Sequence, residues 1–143
     1  MDRTKVPLEY LKAGEIASKV VNNAVKEISI GDRFIDVCTK IEDNIKHFGG
    51  EPAFPCNICV NDVTAHYTAT IDDEKVIYDG DIVKIDLGVH IDGYIADTAR
   101  TISFNPERVL PEARGLSVKS YNTHLDTACL RILPTVAPSR STK

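Results

Sequence analysis

Apolar positions recur at intervals of three, four and five through Leu11, Ile16, Ala17, Val20, Val21, Ala24, Val25 and Ile28. That period winds one stripe along an α-helix, and it predicts a first helix opened by Pro7, whose missing N–H no first turn needs. Gly31-Asp32 breaks the stripe. A second stripe of Ile35, Cys38, Ile41, Ile45 and Phe48 follows, and Gly49-Gly50 ends it. From residue 51 the period changes. Ala53 to Asn57 reads as a loop, Ile58 to Asn61 as a short strand, and Asp79-Gly80 as a turn. Ile82 to Phe104 alternates with period two, as two strands about a turn at His90-Ile91-Asp92-Gly93. Two helices followed by strands predict an α+β arrangement, an antiparallel sheet packed by both helices.

The pattern fades after Glu107. The charge changes at the same place: residues 1–106 hold 18 acids and 11 bases, whereas residues 107–143 hold 3 acids and 6 bases. The second stretch also carries eight Ser/Thr residues and three prolines, Pro111, Pro134 and Pro138. The expected organisation is therefore one α+β unit over residues 1–107 and an irregular tail over 108–143.

Composition narrows the function classes. The 143-residue chain has a formal charge of −4, 43% apolar and 27% charged residues, ordinary values for a globular protein. No apolar run exceeds three residues, so no transmembrane span is expected. Asp2, Arg3, Lys5, Glu9 and Lys12 leave no secretory apolar segment at the N-terminus, and a cytoplasmic location is the expectation. Mild acidity gives no basic footprint for nucleic acid. The four cysteines are too few and too unevenly spaced for a disulfide scaffold.

Two carboxylates carry the candidate chemistry. On the first strand of the hairpin, Val83, Ile85, Leu87 and Val89 share one face, and Ile82, Lys84, Asp86 and Gly88 share the other. Ile95, Asp97, Ala99 and Thr101 share a face of the second strand. A four-residue loop at 90–93 places Asp86 directly opposite Asp97, and a two-residue loop at Asp92-Gly93 makes them diagonal neighbours on one face. Only an odd-length loop separates them. Acids directly opposite in a sheet lie about 4.5–5.5 Å apart at Cβ and repel. A divalent cation, or a pair of them about 3.5–4 Å apart, would offset that repulsion and could activate water. Two solvated aspartates on an exposed sheet face would satisfy the same spacing.

Other candidates are weaker. His66 is alone in its segment, and an isolated histidine is more often a satisfied surface group than a catalyst. Cys56-x-x-Cys59 has the spacing of half a zinc site, but no second pair follows it. Asp92 suits the turn itself.

Two segments together resemble a known family. Ala53-Phe54-Pro55-Cys56-Asn57-Ile58-Cys59-Val60-Asn61, followed by Ala65-His66-Tyr67-Thr68, looks like the signature of the methionine aminopeptidases. Lys84 to Ala99, with Asp86-Leu87-Gly88 and Asp92-Gly93-Tyr94-Ile95-Ala96-Asp97, resembles that family's first metal-ligand hairpin. The likeness is to the type II enzymes of archaea and eukaryotes and spans roughly residues 5–107. Prolidase and aminopeptidase P share the hairpin, but their second strand runs closer to Ser-Asp-Ile/Phe-Thr-Arg than to Ala96-Asp97-Thr98-Ala99-Arg100.

The resemblance implies the pita-bread (creatinase/aminopeptidase) fold, here its first α+β repeat. It implies removal of the initiator methionine from nascent peptides, with two divalent ions (Co, Mn, Fe or Zn) as cofactors and the ribosome as a further expected partner. Asp86 and Asp97 would be metal ligands, and His66 would contact substrate at the scissile carbonyl. Phe54 would line the pocket for the methionine side chain. The family site uses five ligands, the other three being a His and two Glu of the second repeat. His124, Glu107 and Glu112 match none of these. The expectation is that the 143-residue chain is truncated, holds two of five ligands and is nearly inactive alone. The alternative is a non-catalytic module of the same fold that binds protein or RNA.

Overall fold

The computed structural model describes residues 6–104 and the backbone of residues 124 and 125. Helix α1 spans Leu8–Glu27 and α2 spans Phe34–His47. They precede an antiparallel sheet in the order β1-β2-β3-β4: Glu51–Val60, Ile82–Ile91, Tyr94–Ser103 and His124–Leu125. The predicted helix–helix–sheet order is what forms. Helix α1 packs on β2 and β3, α2 packs on β1, and the helices touch each other.

Pro7 is the residue just before the first turn of α1. Glu9 in the first turn and Lys26 in the last turn oppose the helix dipole favourably. The buried stripe is Ala13, Ala17, Val20, Val21 and Ala24. Three alanines in it let the helix axis approach the sheet closely. Leu11, expected in that stripe, is 51% exposed, and Leu8 and Tyr10 are exposed with it. The α2 stripe is also rotated from expectation. Phe34, Val37, Cys38, Ile41 and Ile45 are buried, while Ile35 and Phe48 are only partly so.

The core lies between the helices and one face of β2. Val83, Ile85, Leu87 and Val89 are fully buried, joined by Ile58, Cys56 and Ile102. Burying each such side chain stabilises the fold by about 1.5–3 kcal/mol. One face of the hairpin is thereby fixed inward, and Asp86 and Asp97 must take the other.

β1 departs most from expectation. Residues 53–57 are strand rather than loop, and β1 runs unbroken for ten residues. Its register against β2 shifts twice, between Pro52 and Phe54 and between Phe54 and Asn57. Irregular pairing explains how Pro52 and Pro55 fit a strand, since neither can donate to a regular ladder. The irregular tail expected over 108–143 lies outside the described residues, apart from β4, whose backbone pairs with Thr101 and Ile102.

Candidate functional site

The β2–β3 hairpin closes through the two-residue loop Asp92-Gly93. Both residues have left-handed backbone, φ +51° and +84°, the pattern of a type I′ turn whose twist matches the flanking strands. Gly93 N–H donates to His90 Nδ1 at 3.3 Å. This turn sets the register: Gly88 faces Asp97 and Asp86 faces Ala99. Of the loop lengths open to the sequence, the two-residue one is observed. The two aspartates are diagonal neighbours on the face turned away from the helices.

Their carboxyl groups lie within hydrogen-bonding reach of each other, and the Asp86 carboxyl is held above the usual carboxylate range. Half-burial is the larger cause, followed by the negative charge of Asp97. Lys84, next on the same face, and His66 pull in the opposite direction. His66 is thus within electrostatic reach of Asp86. Sequence spacing gave no such link, since the two residues are 20 apart and on different elements.

His66 sits in the connection that leaves β1, with φ +63°. For a non-glycine residue this left-handed conformation persists only where surrounding contacts enforce it. They are present. Ile58 N–H donates to Tyr67 O at 2.9 Å, the Thr68 hydroxyl donates to Asn57 Oδ1 at 2.7 Å, and the Tyr67 hydroxyl donates to Asp73 Oδ2 at 2.6 Å. The Asp73 carboxyl is held below its usual range by the Tyr67 hydroxyl and the Lys75 N–H.

Phe54 faces Gly88 across the β1–β2 pairing. Its ring lies flat on that glycine, so that a Cβ at residue 88 would come within 2.3 Å of Phe54 Cε1. Gly88 in turn faces Asp97. Phe54 is thus an aromatic wall one strand away from the carboxylate pair. Phe54, Asp86 and Asp97 share one side of the sheet, and the His66 segment is tied to the same side through Thr68 and Asn57.

Several supporting residues were not singled out from the sequence. Gly88 supplies the space for Phe54, and a glycine inside a strand was its available signal. Asn57 faces Asp86 across the strands. Glu42 of α2 accepts the Cys56 N–H at 2.9 Å, within the second register shift of β1. No local pattern marks Asn57 or Glu42, because each acts through a partner distant in sequence.

Among the described residues the cysteines form no metal site. Cys56 belongs to the core and lies against Cys38 of α2, whose thiol is within 3.5 Å of Cys56 O. Cys59 faces Lys84 on the carboxylate side. The hydrogen bond between the two buried thiols lowers Cys38 and, together with burial, raises Cys56. Among the described residues no group of three or more His, Cys, Asp or Glu is placed to hold a metal ion. Asp86 and Asp97 fit one as an incomplete set: two hard oxygen donors whose mutual repulsion a divalent cation would relieve.

A groove of about 750 Å³ lies beyond the His66 connection, lined by Tyr67, Asp73, Lys75, Tyr78 and Asp81 among others. It does not include the aspartate pair, and its buried carboxylates are occupied: Asp81 accepts from Asn61 Nδ2 and Tyr78 N–H. The chemistry sits on the open sheet face, not in this groove. No helix among the described residues is long and apolar enough to cross a membrane.

Comparison with known proteins agrees with this arrangement. The pattern of metallopeptidase family M24 matches residues 9–129. A methionine aminopeptidase of Methanocaldococcus jannaschii is 50% identical over 97 residues, 68% of this chain and 33% of that protein. One from Methanothermobacter thermautotrophicus is 56% identical over 93 residues, 65% of this chain and 31% of that protein. The chain thus spans about a third of the length of these curated relatives. The solved structure of the prolidase from Pyrococcus furiosus superposes with a TM-score of 0.61 at 39% identity, covering 66% of this chain and 30% of that one. The pita-bread fold inferred from the two sequence segments is therefore the fold observed, in part.

Proposed function

Because the chain belongs to metallopeptidase family M24, we propose that it is the first repeat of a methionyl aminopeptidase, acting on the N-terminal methionine of nascent peptides. The observation that supports the reading is the shared sheet face of Asp86, Asp97 and Phe54, with the His66 segment tied to it through Thr68 and Asn57. Identities of 50% and 56% to methionine aminopeptidases, against 39% to a prolidase, favour the methionine-specific branch.

In this reading Asp86 and Asp97 hold the divalent ions, with Co, Mn, Fe and Zn as the candidate metals. Bound there, the ions would supply Lewis acidity at the scissile carbonyl and an activated water. The remaining roles belong to the chain. His66 donates to the carbonyl oxygen as negative charge develops on it, and the fixed loop conformation keeps that donor in place. Phe54, flat on Gly88, offers an apolar wall to the methionine side chain. A cytoplasmic location, near the ribosome, follows from such a substrate.

Two oxygen donors hold a transition metal weakly and leave its geometry loose. The 143-residue chain alone should therefore bind Mn(II) weakly and turn over a Met-Gly-X peptide slowly. Calorimetric titration with Mn(II), and cleavage of that peptide with Mn(II) present, test the reading. Loss of the binding heat in Asp86→Asn and Asp97→Asn is expected. Unchanged binding in both variants would remove the aspartates from the metal role.

A further inference from the structure

We infer that Asn57 and Thr68 form a positioning pair that holds the His66 segment against the strand position facing Asp86. The inference rests on the reading of His66 and Asp86 given above and extends it to residues with no contact to substrate.

Asn57 occupies the β1 position facing Asp86, and it is 9% exposed. Its Oδ1 accepts the Thr68 hydroxyl at 2.7 Å. Thr68 follows His66 by two residues, so this side-chain bond ties the histidine segment to the strand position next to Asp86. A second tie runs in parallel, Ile58 N–H to Tyr67 O at 2.9 Å. The peptide on either side of Tyr67 is thus anchored to consecutive residues of β1, one bond through main chain and one through side chain. Held at φ +63°, His66 lies immediately before both anchors. The main-chain bond fixes the segment's path along β1. The Thr68–Asn57 bond ties it to the face that carries Asp86. Burial makes the bond matter: a half-made pair would leave the Asn57 amide oxygen unsatisfied, and such groups demand their partner.

Thr68 is exposed, so replacing it tests the bond without emptying the core. The readout is the response of the His66 ring NMR signals to Asp86→Asn, recorded without metal at one fixed pH. In the wild-type background, and in Thr68→Ser, which keeps the hydroxyl, Asp86→Asn should shift the His66 ring signals. In Thr68→Val and Thr68→Ala that shift should fall severalfold, with the amide spectrum of β2 little changed and the melting temperature lowered by a few degrees. An equal shift in the Thr68→Val and wild-type backgrounds would overturn the proposal, as would no shift in the wild type. A Mn(II) arm separates the two readings. If Mn(II) fails to broaden the Gly88 and Ala99 amides while the Thr68-dependent coupling persists, the metal reading falls and the positioning pair is supported.

Discussion

Asp86 and Asp97 are diagonal neighbours across the β2–β3 ladder, Asp97 facing Gly88 and Asp86 facing Ala99. Diagonal placement puts two carboxylates on one face, each opposite a residue with little or no side chain. Room remains above both. The arrangement raises Asp86 through half-burial and the charge of Asp97, so its folded-state pKa lies above its unfolded value.

That sign fixes a pH dependence. A carboxyl with a raised folded pKa contributes stability fully present below its unfolded pKa and lost as pH rises through the folded one. The ionised pair therefore costs the metal-free chain stability at neutral pH. Asp86→Asn should raise the melting temperature at pH 7 by a few degrees and change it little near pH 3, where the wild-type carboxyl is protonated. Thermal unfolding of both proteins across pH 3–8, in the presence of a chelator, checks this. A destabilised variant at pH 7 would show that Asp86 has favourable partners that outweigh the repulsion.

Glu42 supports β1 from beneath. Its carboxylate accepts the Cys56 N–H where the ladder shifts register and no strand partner is available. Glu42→Ala should destabilise the fold by about 1–3 kcal/mol, the cost of an unsatisfied buried donor. Glu42→Gln retains an acceptor and should lose less. Urea unfolding gives both values, and hydrogen exchange at the Cys56 amide should accelerate in the alanine variant alone.

Much of this was legible in the sequence because it rests on period. Helical stripes and the alternation of Ile82–Phe104 announce the layers, and the inward set Val83, Ile85, Leu87 and Val89 follows from the two-residue repeat. Asp86 and Asp97 were legible as a pair for the same reason. The choice among registers was not, since it depends on the backbone of Asp92 and Gly93. The first part of β1, residues 53–57, reads as a loop because two prolines in five residues, 52–56, break the alternation, and the register shifts that admit them involve Gly88 and Glu42 on other elements. His66 was isolated in sequence and stood out only through the family resemblance, because the bonds that tie its segment to Asn57 and Ile58 join residues eight or more positions apart.

The register itself can be challenged at its turn. Gly93 has open space around its Cα, so a side chain there meets no obstacle and the strain is purely that of φ +84°. Gly93→Ala should destabilise the chain by about 1 kcal/mol, within the usual cost of a left-handed L-residue. Asp92→Gly removes such a cost and should be neutral or slightly stabilising. Denaturant midpoints with unchanged m-values would confirm that only the turn was affected.

Phe54 and Gly88 form a pair whose dependence runs both ways. With Phe54 in place, the Cβ of Gly88→Ala would meet the ring at 2.3 Å, with Cδ1 at 2.7 Å. The ring must swing away, at the ~1–3 kcal/mol typical of overpacking. Phe54→Ala alone loses ring contacts, but Phe54 is only partly buried, so the loss should fall below the ~3–5 kcal/mol of a fully buried phenylalanine. Once the ring is gone, the three short contacts go with it, and the methyl replaces a glycine that β-strands disfavour. The double variant should therefore be more stable than the sum of the two single effects implies, with a coupling of about 0.5–3 kcal/mol. Urea unfolding of the four proteins measures it. Strict additivity would mean that the ring does not rest on Gly88 in solution, and the apolar wall beside Asp97 would have to be built from another side chain.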